Sequence, residues 1–128
     1  MMKYGFSKTV SLPYEQAIEK ITEEMKKEGF GVLTEIDVKE TLKKKLNVDY
    51  KKYKILGACN PPIAHKALQI EEELGLLLPC NVIVYEKEGK SVVSVFKPMI
   101  MTQLLDSKEM VTIAEEVKVK LLAALERV

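Results

Sequence analysis

The chain has 128 residues, of which 47% are hydrophobic and 30% charged, and its formal net charge is +1. This length predicts a single domain, residues 1–128, whose core is large enough to fold without metal or disulfide. The near balance of 20 basic and 19 acidic residues, with no tryptophan, argues against nucleic acid as a partner. No apolar run approaches the roughly 20 residues of a membrane span, and the first residues lack a signal peptide's apolar region. We therefore expect a soluble, cytoplasmic protein with no membrane partner, and two cysteines that remain thiols.

The spacing of apolar residues predicts five strands, four helices and one further helical turn. Polar residues suited to helix N-caps precede these helices: Ser11, Asp37, Asn60, and Asp106 or Ser107. The predicted elements are strand 3–10, helix 11–28, strand 30–38, helix 37–47, strand 54–59, helix 60–74, strand 81–86, strand 91–97, helical turn 99–105 and a final helix.

Strands 54–59 and 81–86 are apolar on both faces, which is typical of the interior of a sheet. A helix joins them, which predicts a right-handed parallel crossover. We therefore expect an α+β fold with one five-stranded mixed β-sheet and helices packed mainly on one face. The apolar turn 76–79 would be a sticky patch if exposed, so we expect the last helix or a second subunit to cover it.

Three stretches carry a family resemblance: GFGVLTEIDV at 29–38, YKILGACNPPIAHKAL at 53–68 and LGLLLPCNVIVYE at 74–86. They resemble the bacterial and archaeal domain-of-unknown-function family 302, and their order and spacing match over nearly the whole chain. The segments at 59–61 and 77–81 are similar to that family's most recognisable motifs. The resemblance implies an α+β fold with a mixed sheet and chains that pair as homodimers, and it implies no reaction.

Two clusters of charged residues, both outside the segments 59–61 and 77–81, could have chemical roles. Glu35 and Asp37 project from the same side of a strand and could bind a metal or act as an acid–base pair. A solvent-facing strand surface is the favoured interpretation, because such surfaces commonly carry charge. The lysines at 43–45 could contact an anion, but a solvated last helical turn, favoured by the helix dipole, explains them better.

The candidate site residues are Cys59, Asn60, His65, Cys80 and Asn81. Cys59 lies just before a helix N-terminus, a position that favours the thiolate. His65 lies more than a turn into that helix and could act as its base, so Cys59 and His65 are the catalytic candidates. A metal site from Cys59, His65 and Cys80 would lack close-spaced ligand pairs. We therefore expect no metal and no cofactor.

A parallel crossover would place Cys59 and Cys80 at opposite strand ends, roughly 20 Å apart and too far for a disulfide. Antiparallel strands would instead bring both cysteines to the same end of the sheet.

Three functional hypotheses follow. The first is a soluble homodimeric binding domain whose small-molecule or anionic ligand lies near the Cys59–Asn60 helix N-terminus. The second is a thiol-dependent enzyme or redox protein that uses Cys59 with His65. The third is a structural or interaction module with buried, inert cysteines.

Overall fold

Five strands form one sheet in the computed structural model, which describes residues 4–105 and 107–128. The fold is α+β. Its elements in chain order are β1 (Gly5–Val10), α1 (Tyr14–Lys27), β2 (Gly31–Asp37), α2 (Val38–Leu46), β3 (Tyr53–Cys59), α3 (Pro61–Ile70), a 3₁₀ helix (Glu72–Leu77), β4 (Cys80–Lys87), β5 (Lys90–Phe96), α4 (Ile100–Leu104) and α5 (Lys108–Glu126). The strand order across the sheet is β1-β5-β4-β3-β2.

Every neighbouring pair of strands is antiparallel, including β3 and β4, where Tyr53 pairs with Tyr85 and Ala58 with Cys80. The predicted mixed sheet and parallel crossover are therefore wrong. Because β3 and β4 are antiparallel neighbours, the connection between them leaves and re-enters the sheet at the same end, and its helix α3 packs against α5 and the 3₁₀ helix. Cys59 and Cys80 consequently lie at the same end of the sheet, and both are free thiols.

The core forms where α1 and α5 pack against each other and against the central strands β4 and β5. Each helix contributes an apolar stripe, so the helix that apolar spacing predicted over 11–28 and the final predicted helix are both confirmed. Full burial of one Leu, Ile or Val side chain contributes about 1.5–3 kcal/mol. Residues that are almost completely buried in this core are Ala17, Ile21, Met25, Val82, Val84, Val93, Val95, Met110, Val117 and Leu121. The prediction that the helices lie mainly on one face of the sheet stays a prediction.

Three of the predicted N-caps are confirmed by hydrogen bonds. The side chains of Asp37, Asn60 and Ser107 accept from the backbone N–H of the third residue that follows. The Ser11 cap is wrong: Pro13 precedes the first helical residue, and no side chain in the described part of the chain caps that helix. The alternative cap, Asp106, lies outside the described residues, as does residue 3 of the first predicted strand.

The helix predicted over 60–74 is shorter than expected. It ends at Ile70, where Glu71 adopts an extended backbone with φ −141°. The Glu71 carboxylate then accepts from Glu73 N at 3.1 Å, and this bond caps the 3₁₀ helix that carries the chain to Leu77.

Strand β2 contains an irregularity at Leu33. Val32 pairs with Ala58, yet Thr34 pairs with Gly57, so Leu33 has no partner in the register. An extra residue in one strand reverses the facing of the residues after it. The strand predicted over 30–38 is therefore present but interrupted, although apolar and polar residues alternate along it in the sequence, and Leu33 is 69% exposed.

The carboxylate of Glu24 is buried at the contact between α1 and the end of α5. Lys20 Nζ lies 2.8 Å and Lys27 Nζ 3.0 Å from Glu24 Oε2, and Arg127 Nε donates to Glu24 Oε1. The hydrogen bonds from Lys20, then Arg127, then Lys27, lower the pKa of Glu24 from 4.5 to about 2. Arg127 Nη2 also lies 2.9 Å from Glu28 Oε2, so these ion pairs connect the end of α5 to α1.

We expect Glu24→Gln to destabilise the protein at neutral pH, because three cations lose their common counter-charge. The folded-state pKa lies below the ordinary value, so this stabilisation is complete above about pH 4.5 and is lost as the pH falls toward 2. Urea unfolding of both proteins between pH 7 and pH 3 should show a difference that narrows with acidity. Glu23→Gln, at an exposed position of α1, is the control and should change little. A difference that is constant across this range would contradict the assigned pKa.

Candidate apolar binding cavity

A cavity of about 390 Å³ lies at the end of the sheet where β3 leaves and β4 enters. Its volume falls within the roughly 300–1,000 Å³ of ordinary small-molecule sites. Ala64 and Ala67 of α3 line it, and their short side chains leave space that longer ones would fill. The lining residues are Phe30, Leu33, Thr34, Ala58, Cys59, Asn60, Ile63, Ala64, Ala67, Leu68, Leu74, Gly75, Leu78, Pro79, Cys80, Met101, Ile113 and Val117.

The wall is apolar except at Thr34, Cys59, Asn60 and Cys80. None of the described lining residues carries a charged side chain. Burying an unpaired charge in such surroundings is unfavourable. The buried part of any ligand held here must therefore be uncharged and predominantly apolar.

Asn60 links two helices beside the cavity. Its Oδ1 accepts from Ile63 N at 3.4 Å, and its Nδ2 donates to Glu28 O at 3.3 Å. The side chain therefore caps α3 and anchors it to the end of α1. A hypothetical Cβ on Gly29, whose φ is +88°, would lie 2.9 Å from Asn60 Nδ2, so this contact needs a glycine.

The N-terminus of α3 offers little to an anion. Pro61 and Pro62 have no amide hydrogen, Ile63 N is bonded to the Asn60 side chain, and Ala64 N donates to Asn60 O at 2.9 Å. Anion sites at helix ends require amides without other partners. The geometry therefore favours an apolar ligand over the anion considered from the sequence.

The two cysteines share the cavity wall but differ in burial. Cys80 is only 8% exposed, whereas Cys59 is half-buried. Burial, followed by the neighbouring Cys59 thiol, raises the pKa of Cys80 from 9.0 to about 11. Cys80 is therefore a neutral thiol near neutral pH, and Cys59 is the thiol that a ligand or reagent in the cavity could reach.

His65 and Asn81 lie outside the cavity, and both are exposed. His65 follows the cavity-lining Ile63 by two residues, so it lies about 200° around the helix axis from Ile63. The structure thus groups Cys59, Asn60 and Cys80 and separates them from the proposed base and from Asn81. A ligand-binding role for these five residues stays a prediction.

The charged groups singled out in the sequence have structural explanations. Asp37 Oδ1 accepts from Glu40 N at 3.0 Å as the cap of α2, and Glu35 is exposed. Lys43 and Lys44 form surface ion pairs with Asp49 and Glu40. Over residues 4–105 and 107–128, no group of three or more His, Cys, Asp or Glu side chains could hold a metal, so the alternative Cys59–His65–Cys80 metal site has no geometric support.

Sequence inspection missed most of the cavity wall. Leu33, Leu68, Met101 and Ile113 come from four different elements and meet only in the folded chain. The nearest signal in the sequence was the apolar run at 74–79, which is unusual for a connection between elements. Leu74, Leu78 and Pro79 of this run line the cavity, while Leu76 is 84% exposed.

The fold and the cavity define a small α+β protein with a five-stranded antiparallel sheet and an apolar site at one end. The chain belongs to the family described as Domain of unknown function DUF302, whose model matches residues 6–128. The resemblance inferred from the sequence is thereby confirmed. The chain is also similar to an uncharacterized conserved protein DUF302 from Bacillus stearothermophilus, whose crystal structure matches with a TM-score of 0.90, 31% identity and 98% coverage of each chain. Comparison with curated proteins found no match.

None of the helices in the described part of the chain combines the length and the apolar character needed to cross a membrane.

Proposed function

We propose that this protein is a binding domain that holds an uncharged, predominantly apolar small molecule in the cavity between α3 and the end of the sheet. One observation carries the proposal: a cavity of about 390 Å³ whose described wall contains no charged side chain. A mostly apolar concave site with a few polar groups is the usual form of a small-molecule site. Cys59, Asn60 and Thr34 would be the polar groups that orient the ligand.

A polar end of such a ligand would remain at the mouth of the cavity. Leu33 and Leu68 line the cavity and are 69% and 39% exposed, so they mark where it opens to solvent. His65 and Lys66 are exposed on the same helix as Leu68. An amphipathic molecule could therefore bury its apolar part and keep its polar group in water, which avoids the desolvation of that group.

Titration with N-phenyl-1-naphthylamine, an uncharged fluorescent probe, tests the proposal. The wild-type protein should enhance its fluorescence saturably. Ala64→Phe should weaken binding at least about tenfold, or about 1.4 kcal/mol, because the ring occupies the cavity. Ala123→Phe is the matched control, since Ala123 is also a half-buried helical alanine but does not line the cavity. Equal weakening by both substitutions, or no saturable binding by the wild type, would exclude the cavity as the site.

The alternative of a thiol enzyme that uses Cys59 with His65 has weaker support. Cys59 faces the cavity, but His65 lies on the exposed side of α3. A base must come within hydrogen-bonding reach of the thiol that it activates. The third alternative, a structural module, predicts that the cavity binds no small molecule, and the same titration separates it from the binding domain.

We also propose that residues 1–128 act as one domain that pairs as a homodimer in the cytoplasm. Leu76 and Leu104 are each more than 60% exposed, which supports an apolar contact with a second chain. Two free thiols suit a reducing compartment. Sedimentation equilibrium of the native protein would distinguish a pair of chains from a single chain.

A further inference from the structure

A second hollow, unrelated to the apolar cavity, lies on the sheet at the β4–β5 hairpin. Its volume is about 420 Å³, and its lining includes Thr9, Tyr85, Lys87, Glu88 and Lys90. Lys87 and Lys90 are directly opposite each other in the antiparallel register, and Tyr85 and Val92 form the next pair on the same face. Thr9 pairs with Val92 from the other side, so its hydroxyl lies on this face as well.

A third lysine approaches the same place. Lys51 Nζ lies 4.7 Å from the centre of the Tyr85 ring, whose other neighbour is the stacked ring of Tyr53 at 5.3 Å. Lys51, which precedes the start of β3 by two residues, therefore lies near the same end of this sheet face as Lys87 and Lys90. Two like charges directly opposite each other in an antiparallel pair destabilise a sheet, so a negative charge bound between them would stabilise this arrangement.

The protein supplies little of that charge. The ion pairs found within residues 4–105 and 107–128 use Lys20, Lys27, Lys43, Lys44, Lys52 and Arg127 as their cations. Lys51, Lys87 and Lys90 take part in none of them. Glu88 lines the hollow but lies in the turn itself, at φ +52°, without pairing with either neighbouring lysine.

We propose that this hollow, which we call the hairpin site, binds the phosphate group of a small phosphorylated molecule. Lys87 and Lys90 would neutralise the phosphate charge, with Lys51 beside them, and the hydroxyls of Thr9 and Tyr85 would donate hydrogen bonds. Lysine is a common phosphate ligand because its ammonium acts as a compact charge with three donors. The hairpin site is independent of the apolar cavity, so a negative result at one site leaves the proposal for the other site unaffected.

Pyrophosphate is the probe for this proposal, titrated at constant ionic strength and followed by amide NMR shifts. Residues 87–92 and Thr9 should shift together and saturate. The double substitution Lys87→Gln/Lys90→Gln should weaken binding at least tenfold, since each charged hydrogen bond lost is worth about that factor. Glu88→Gln should tighten binding two- to threefold, because it removes a competing carboxylate.

The control is Lys44→Gln/Lys45→Gln on α2, which removes the same net charge from another basic surface. It should leave the pyrophosphate affinity within about twofold, whereas an equal loss in both double variants would show general charge attraction and overturn the site. Absence of saturable shifts at 87–92 would also overturn it.

Sedimentation with phosphatidylglycerol vesicles distinguishes the two sources of phosphate, a small molecule and a lipid headgroup. If the protein co-sediments in a way that depends on Lys87 and Lys90 but does not bind pyrophosphate, the ligand is a lipid surface and the small-molecule proposal is wrong.

Discussion

Gly57→Ala is expected to lower the free energy of unfolding by about 3 kcal/mol, the upper end of the usual cost of overpacking a core. A Cβ at this position would overlap Thr34 Oγ1 and would lie 2.7 Å from Pro79 Cγ. The threonine side chain can rotate, but the proline ring is rigid and belongs to the segment that leads into β4. The added methyl group must therefore displace backbone at the end of the sheet.

Denaturant unfolding monitored by circular dichroism measures this effect. Gly31→Ala is the matched control, because a Cβ there would meet no atom of residues 4–105 or 107–128 within 4 Å, and it should leave the stability almost unchanged. The double substitution Gly57→Ala/Thr34→Ala should recover only part of the loss, since the contact with Pro79 persists. Full recovery would show that Thr34 alone limits the space, and equal effects of the two glycine substitutions would refute the steric explanation.

Alkylation of the native protein at pH 8 is expected to modify Cys59 at least about 100-fold faster than Cys80. The rise of the Cys80 pKa from 9.0 to about 11 lowers the ionised fraction of that thiol about a hundredfold at this pH, to roughly one in a thousand. Burial of Cys80 to 8% exposure slows its reaction further. Mass spectrometry of digested samples gives both rates from a single time course.

Two further measurements make this experiment specific. Unfolding in guanidinium should bring the two rates to within a fewfold of each other, because both environments are then removed. Bound N-phenyl-1-naphthylamine should protect Cys59, which lines the cavity that we propose the probe occupies. Fast labelling of Cys80 in the folded protein would contradict its burial. Slow labelling of both cysteines would show that Cys59 is also an inert core thiol.

The sequence predicted the local features of this fold well. The stripes of α1 and α5 follow from helical periodicity, and Asn60 and Ser107 cap their helices because a short polar side chain precedes each first turn. The hairpin at 87–90 is likewise local, since its turn and both of its strands are contiguous.

The direction of β4 relative to β3 could not be predicted in the same way. A connection with a helix between two strands suits a parallel crossover as well as an antiparallel return. The packing of α3 on α5 accompanies the antiparallel return here, and α5 begins nearly 40 residues after α3 ends. The cavity depends on the same contact, because residues of both α3 and α5 line it. Its existence therefore had no signature in any one segment.

The pairing of β1 with β5 sets the order in which the strands are expected to join the sheet during folding. Gly5 pairs with Phe96 and Val10 with Ser91, so β1 has its partner only across more than 80 residues of chain. The β4–β5 hairpin, by contrast, closes through a two-residue turn. Contacts between residues that are far apart in the sequence cost more loop-closure entropy, and they form later than local contacts. During synthesis, β1 must therefore wait until β5 has emerged, and the sheet is expected to grow from its centre and to be completed at its β1 edge.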